Sequence, residues 1–159
     1  VVSQKENGDG STIIVDNNEE NIYGGYDEEE VCQEIEDQLG ILPIRFGYRP
    51  KGMILQKYCI QDTQDIILRY AYENKKIYIY ISKDYGDSSI NFKMDGELKD
   101  VIQVEALSME IPVYEYKDSN ANIYMQSSFE YLNTYYSISG MLEQEEFEKI
   151  LENIWIKNV

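Results

Sequence analysis

The chain has 159 residues, a common size for one domain, and 43% of them are apolar, enough for one hydrophobic core. Its 30 acidic and 14 basic side chains give a net charge of −16, which disfavours a nucleic-acid partner and an anionic membrane surface. The absence of histidine excludes a Ser-His-Asp triad, a Cys-His pair and every His-ligated metal site. Composition indicates an acidic globular domain and assigns it no reaction.

The negative charge is concentrated at the start of the chain. Residues 1–40 contain one Lys and 12 acidic residues, whereas residues 41–159 contain 13 basic and 18 acidic ones. The turn-forming segment Asn7–Gly10 between two short apolar stretches predicts a hairpin, and the polar residues that follow it indicate a linker. We therefore predict an N-terminal hairpin and acidic linker over residues 1–26, followed by a single domain over residues 27–159.

The first predicted element of this domain is a helix. Asp27 is a favourable N-cap residue, Glu30 stands at the capping-box position, and Gly40 is a favourable stop. The apolar residues between them recur at a spacing of four: Val31, Ile35 and Leu39. Acidic residues in the first turn stabilise the helix dipole, so part of the acidic charge has a structural explanation.

Beyond Leu42 the apolar period changes to two, which predicts strands. The predicted strands are 53–60, 66–73, 76–82, 101–107, 111–116, 121–127 and 133–139, with a long loop at 83–96 and a turn at 117–120. A turn at Asn74-Lys75 pairs Glu73 with Lys76, and this register sorts aliphatic residues onto one face of the hairpin.

The last predicted element is a helix over residues 143–157. Its apolar stripe is formed by Phe147, Ile150, Leu151, Ile154 and Trp155. Strands framed by helices, without βαβ alternation, predict an α+β fold in which an antiparallel sheet of about 6–8 strands is flanked by an N-terminal and a C-terminal helix.

The segment Arg45–Met53, with the sequence RFGYRPKGM, resembles a motif of a bacterial family catalogued as domain of unknown function 4367. The tyrosine-rich hairpin 68–82, the strand pair 102–116 and the ending YSISGM followed by EEFEKI fit that family in order, so the resemblance covers about residues 41–157. The resemblance implies an extracytoplasmic domain of a membrane-anchored protein, with the anchor upstream, in an anti-sigma-factor-like setting or similar to sigma-regulator lipoproteins. It implies no activity and no cofactor.

The 15 tyrosines are the most unusual feature of the composition. Tyr70 and Tyr72 fall on core positions. Other tyrosines fall on the opposite strand positions and, with one arginine, form a candidate binding face: Arg69, Tyr78, Tyr80, Tyr114, Tyr116, Tyr124 and Tyr135. If their strands are neighbours, this face offers a glycan, a peptide or a protein a large contact area at low entropic cost. We favour the alternative, in which a helix or the N-terminal hairpin covers the face as a second core and Arg69 serves a cation–π contact or a salt bridge.

The acidic segments give no metal motif. Asp118–Asn122 begins like a calcium loop, but Ile123 stands where that loop needs Gly and Phe129 where it needs Glu, so we predict a hairpin turn. The clusters 16–20 and 27–30 indicate a solvated linker and a helix N-terminus. We therefore predict no metal-binding residue.

The leading hypothesis is a non-enzymatic extracytoplasmic domain that senses, or binds a protein or ligand, in envelope signalling. The alternatives are a carrier for a small ligand or lipid, with the sheet curved around an apolar cavity, and a hydrolase that uses carboxylates or Ser/Lys. Cys32 and Cys59 either form one bridge between a helix and a strand or remain free thiols, and we favour free thiols.

Overall fold

A computed structural model of the chain describes residues 5–6, 12–13, 26–61, 64–83 and 96–157. The helices are α1 (Glu28–Leu39) and α2 (Gln144–Glu152). The strands are β1 (Lys5–Glu6), β2 (Thr12–Ile13), β3 (Ile44–Phe46), β4 (Ile54–Ile60), β5 (Ile66–Tyr72), β6 (Lys75–Ser82), β7 (Glu97–Val104), β8 (Met109–Lys117), β9 (Ile123–Tyr131), β10 (Thr134–Gly140) and β11 (Ile154–Ile156). A 3₁₀ turn over Glu105–Leu107 joins β7 to β8.

Seven strands form one antiparallel sheet in the order β4-β5-β6-β10-β9-β8-β7. β3 and β11 pair as a separate two-stranded ribbon, and β1 pairs with β2. The predicted α+β fold, an antiparallel sheet with an N-terminal and a C-terminal helix, is confirmed. The division of the chain at residue 26 stays a prediction, because most of residues 1–25 and the bulk of the predicted loop 83–96 lie outside the described residues.

Helix α1 begins and ends where the sequence predicts. The Asp27 carboxylate accepts hydrogen bonds from the backbone N–H groups of Glu29 (3.1 Å) and Glu30 (3.3 Å). Gly40 takes the left-handed conformation, with φ 66°, and its N–H donates to the Glu36 carbonyl. Val31, Cys32 and Ile35 are the buried residues of this helix.

The predicted turn of the β5–β6 hairpin is wrong by one residue. The turn is Glu73-Asn74, with Glu73 at φ 53°, and Tyr72 rather than Glu73 stands next to the turn, opposite Lys75. This register brings the Lys75 ammonium to 5.4 Å from the centre of the Tyr72 ring and to 3.6 Å from a Glu146 carboxylate oxygen. The observed pairing of β5 with β6 differs from the predicted pairing by two residues. Because side chains alternate with a period of two, every side chain keeps its predicted face.

One face of the seven-stranded sheet, here called the aliphatic face, carries the core. Its central row consists of Leu68, Ile79 and Ile138, which lie opposite one another on β5, β6 and β10 and are almost fully buried. Both helices and the β3–β11 ribbon lie on this face. The Phe46 ring, for example, packs edge-on against Tyr70 at 5.0 Å.

The predicted C-terminal helix is too long, because its last residues form a separate strand. α2 ends at Glu152, and Asn153 caps it through a backbone bond to the Ile150 carbonyl. The next three residues form β11, in which burial alternates: Ile154 and Ile156 are buried, whereas Trp155 is 41% exposed. The helical spacing was misleading because β3 is available as an antiparallel partner, and a strand buries the two isoleucines on one side of the ribbon.

Both edge strands of the sheet are irregular. The pairing of β4 with β5 shifts register around Gln56, and the pairing of β7 with β8 shifts around Lys99. Each shift is a β-bulge, which inserts one extra residue and increases the local twist of the strand. Among the described residues, neither helix is long and apolar enough to cross a membrane.

The central row predicts a sharp contrast in stability. Replacing Ile79, which has no exposed area, by Ala removes core contacts on both neighbouring strands, and we expect a loss of about 3 kcal/mol of unfolding free energy. The same change at Ile54, which is 41% exposed on edge strand β4, is expected to cost less than about 1 kcal/mol. Urea unfolding followed by circular dichroism measures both, and similar losses would contradict the assigned faces.

Candidate functional site

The second face of the sheet brings together every residue of the predicted binding face. One row runs from Arg69 on β5 through Tyr78, Ser139 and Gln126 to Tyr114 on β8. The registers of the other strands place the remaining tyrosines on the same side. The set, here called the tyrosine face, is Arg69, Tyr78, Tyr80, Tyr114, Tyr116, Tyr124 and Tyr135.

The tyrosine rings contact one another in pairs. Tyr116 and Tyr124 lie opposite each other on β8 and β9 and stack at 5.4 Å, with 17° between their planes. Tyr80 and Tyr135 meet edge to face at 6.2 Å. The Tyr80 hydroxyl donates to the Asp65 carboxylate at 2.8 Å, and burial together with this bond raises the pKa of Tyr80. The ring pairs order these half-buried side chains at little further entropic cost.

The end of the tyrosine face on β4 and β5 is buried. Arg69 has no exposed area, and Lys57, which lies directly opposite it on β4, is 6% exposed. Burial, reinforced by the neighbouring Arg69 charge, lowers the pKa of Lys57. A wholly buried guanidinium offers no contact to a molecule at the protein surface, so the accessible part of this face lies toward β7.

The opposite end of the tyrosine face carries exposed apolar side chains. Leu98 is 55% exposed and lies opposite Tyr114, and Val101 is 47% exposed and lies opposite Pro112. We call these four residues, together with Tyr116, the exposed flank. Leu98 and Val101 were not predicted as site residues, because the bulge at Lys99 breaks the alternation of β7. Leu98 and Val101 are three residues apart, so regular alternation would place them on opposite faces, and the extra residue Lys99 brings both onto the face of Tyr114.

The turn between β8 and β9 positions Tyr124 on this face. The Asp118 carboxylate accepts hydrogen bonds from the N–H groups of Asn120 (2.8 Å) and Asn122 (3.0 Å) and from the Tyr124 hydroxyl (3.3 Å). The bond from the Asn122 backbone is the main cause that lowers the pKa of Asp118. The hairpin turn predicted for this segment is confirmed, and the described residues contain no group of three or more His, Cys, Asp and Glu side chains that could hold a metal ion.

The two cysteines are free thiols. Cys32 is buried on α1, on the aliphatic side, whereas Cys59 is half-buried and lies opposite Ile67 on the other side of the sheet. Burial is the main cause that raises the pKa of the Cys32 thiol to about 11, so little reactive thiolate forms near neutral pH.

The RFGYRP segment forms a structural junction beside the helices. The Arg45 guanidinium lies over the Trp155 ring at 5.5 Å, and the Arg49 guanidinium lies over the Phe46 ring at 5.5 Å. A Cβ atom on Gly47 would stand 2.7 Å from the Asn153 carbonyl oxygen, so only glycine fits this close approach.

The same junction contains three interacting side chains, Glu28, Tyr70 and Arg49, on the aliphatic side of the sheet. The Glu28 carboxylate accepts from the Tyr70 hydroxyl at 2.9 Å and pairs with Arg49 at 2.8 Å. Burial and the adjacent Glu28 carboxylate raise the pKa of Tyr70. The motif that carries the family resemblance therefore joins α1 to the sheet, and its arginines do not reach the tyrosine face.

Comparison with known proteins gives one family. The sequence model described as domain of unknown function DUF4367 matches residues 43–154. No curated protein matches the chain. No solved structure matches it either.

The raised pKa values of the tyrosines predict destabilisation by alkali. The Glu34 hydrogen bond, with burial, raises the pKa of Tyr58 to about 12, and Tyr70 is shifted in the same direction. Because the folded chain holds these protons more tightly than the unfolded chain, the stability they contribute is complete below about pH 10 and is lost as the pH rises to about 12. Urea midpoints measured across this range should fall.

The control for this prediction is Tyr58→Phe, which removes one of these protons and should make the fall with pH shallower. Titration of all tyrosines near pH 10, followed by tyrosinate absorbance and without loss of structure, would contradict the assigned hydrogen bonds.

Proposed function

Since the chain belongs to the DUF4367 family, with the matched region covering most of the folded domain, we propose that it is a non-enzymatic extracytoplasmic binding domain of a membrane-anchored protein. In this proposal it takes part in envelope signalling, and its partner is a protein. The bacterial, membrane-anchored setting rests on the family resemblance of the sequence.

One observation carries the binding role: the exposed flank. Leu98 and Val101 are large aliphatic residues that are about half exposed beside Tyr114 and Tyr116 on the same face. Tyrosines next to exposed aliphatic residues are typical of protein-binding surfaces, because the rings give large contact area and lose little rotamer freedom on binding. The surface is also an apolar region on a strongly acidic chain, so a partner need not be basic.

The carrier alternative receives less support from the packing. A ligand cavity of about 300 Å³ or more would have to open behind the aliphatic face. There Ile77, Ile79 and Ile81 have no exposed area and belong to one continuous core with the buried residues of both helices.

Photo-crosslinking in cells tests the proposed surface. A photoreactive amino acid is placed at Val101 in the full-length protein, and a matched one at Leu132, which is 67% exposed in the turn between β9 and β10, away from the flank. We expect a discrete protein adduct from position 101 and none from position 132. In a pull-down without the photoreactive residue, the double variant L98S/V101S should recover at least about fivefold less of the protein identified by crosslinking, since both apolar contacts are lost.

Two results would count against this function. One is equal crosslinking from both positions, which indicates random collision. The other is turnover of a peptide or cell-wall substrate by the purified protein, with a rate that a single carboxylate variant abolishes.

A further inference from the structure

Helix α1 is held on the aliphatic side by hydrogen bonds from the sheet. The Tyr58 hydroxyl on β4 donates to Glu34 at 2.9 Å, and the Tyr70 hydroxyl on β5 donates to Glu28 at 2.9 Å. Tyr26, just before the helix, packs edge-on against the Tyr58 ring at 5.2 Å. In each of these contacts a tyrosine of the sheet meets a carboxylate or a ring of the helix segment.

Cations from other parts of the chain also hold α1. The ion pairs are Arg45–Glu29, Arg49–Glu28 at 2.8 Å and Lys157–Glu36 at 3.2 Å. Two of the three pairs are open to solvent, because the Glu29 side chain is 77% exposed and that of Lys157 is 53% exposed. Salt therefore screens these pairs, as it does other exposed charges.

The helix itself contributes carboxylates and a short apolar stripe. It contains six acidic residues and no basic one, and its buried residues are Val31, Cys32 and Ile35. A 12-residue helix of this charge is not stable alone in water, so its structure depends on the surface that it covers. It also precedes residues 43–154, the part of the chain that matches the family.

We propose that the surface under α1 is a binding site for an acidic amphipathic helix, which α1 occupies in this structure and which a second such helix occupies when α1 opens. The chemistry of the ligand follows from that of α1, which now occupies the site. The ligand must offer carboxylates to Arg45, to Arg49 and to the tyrosine hydroxyls, and it must offer an apolar stripe to the core. This is helix-in-groove recognition, with a charge pattern that favours fast association. The site lies on the opposite side of the sheet from the tyrosine face and is independent of the function proposed above.

The test uses the full chain with its own helix weakened. Ile35→Ser places a hydroxyl at a wholly buried position of α1 and leaves the site unchanged. A fluorescent peptide of residues 26–40, with Cys32→Ala, is then titrated into the Ile35→Ser chain and into the unchanged chain. We expect the peptide to bind the Ile35→Ser chain at least about tenfold more tightly, because the tethered helix no longer competes at high effective concentration.

Two matched controls define the chemistry. A peptide in which Glu28, Glu29 and Glu34 are replaced by Gln keeps the apolar stripe, and it should bind at least about tenfold more weakly. Arg49→Gln in the Ile35→Ser chain should weaken binding of the acidic peptide and leave the affinity for the Gln-substituted peptide nearly unchanged. Failure of the acidic peptide to bind a folded Ile35→Ser chain, or equal binding of both peptides, overturns the proposal.

A second measurement needs no destabilised variant. In a Cys59→Ser chain Cys32 is the only thiol, and it reacts with iodoacetamide when α1 opens. We expect 1 M NaCl to raise this rate about tenfold by screening the ion pairs, while circular dichroism shows no global unfolding. A rate that salt does not change, or that follows global unfolding alone, means that α1 does not open separately and refutes the exchange.

Discussion

The alternation of side chains across β5, β6 and β10 is the constraint on which the rest of the structure depends. In the centre of the sheet, Ile79 lies between Leu68 and Ile138, and all three point toward the helices. Because successive residues of a strand face opposite ways, this row also places Arg69 and Tyr78 on the other side. The aliphatic core and the tyrosine face are therefore two consequences of a single register, and a slip by one residue would exchange them.

Much of this arrangement could be predicted from the sequence. The period of two assigned each tyrosine to its face, even though the β5–β6 turn was placed one residue too late, because the resulting shift preserves parity. Two features could not be predicted. Residues Ile154–Ile156 fit a helical stripe as well as a strand, and only the presence of β3 decides between them. Leu98 was missed because a bulge depends on tertiary twist rather than on local pattern.

The net charge of −16 has a more specific meaning once the contacts are known. Three carboxylates of α1, on Glu28, Glu29 and Glu36, pair with cations that come from distant parts of the chain. The RFGYRP segment supplies two of those cations, and its Gly47 lets the backbone approach the end of α2. The motif that carries the family resemblance therefore joins α1, β3 and the end of α2, and its arginines are paired with α1 carboxylates in this structure.

The two bulged edge strands limit how this sheet can associate. A flat, regular edge offers a row of backbone donors and acceptors to any other strand, and proteins avoid this by twisting or interrupting the edge. Here both β4 and β7 are interrupted, at Gln56 and Lys99. A second chain that tried to extend the sheet would meet an interrupted backbone at either edge. The sheet is therefore poorly suited to lengthening by another strand, which limits edge-to-edge association of copies into fibres.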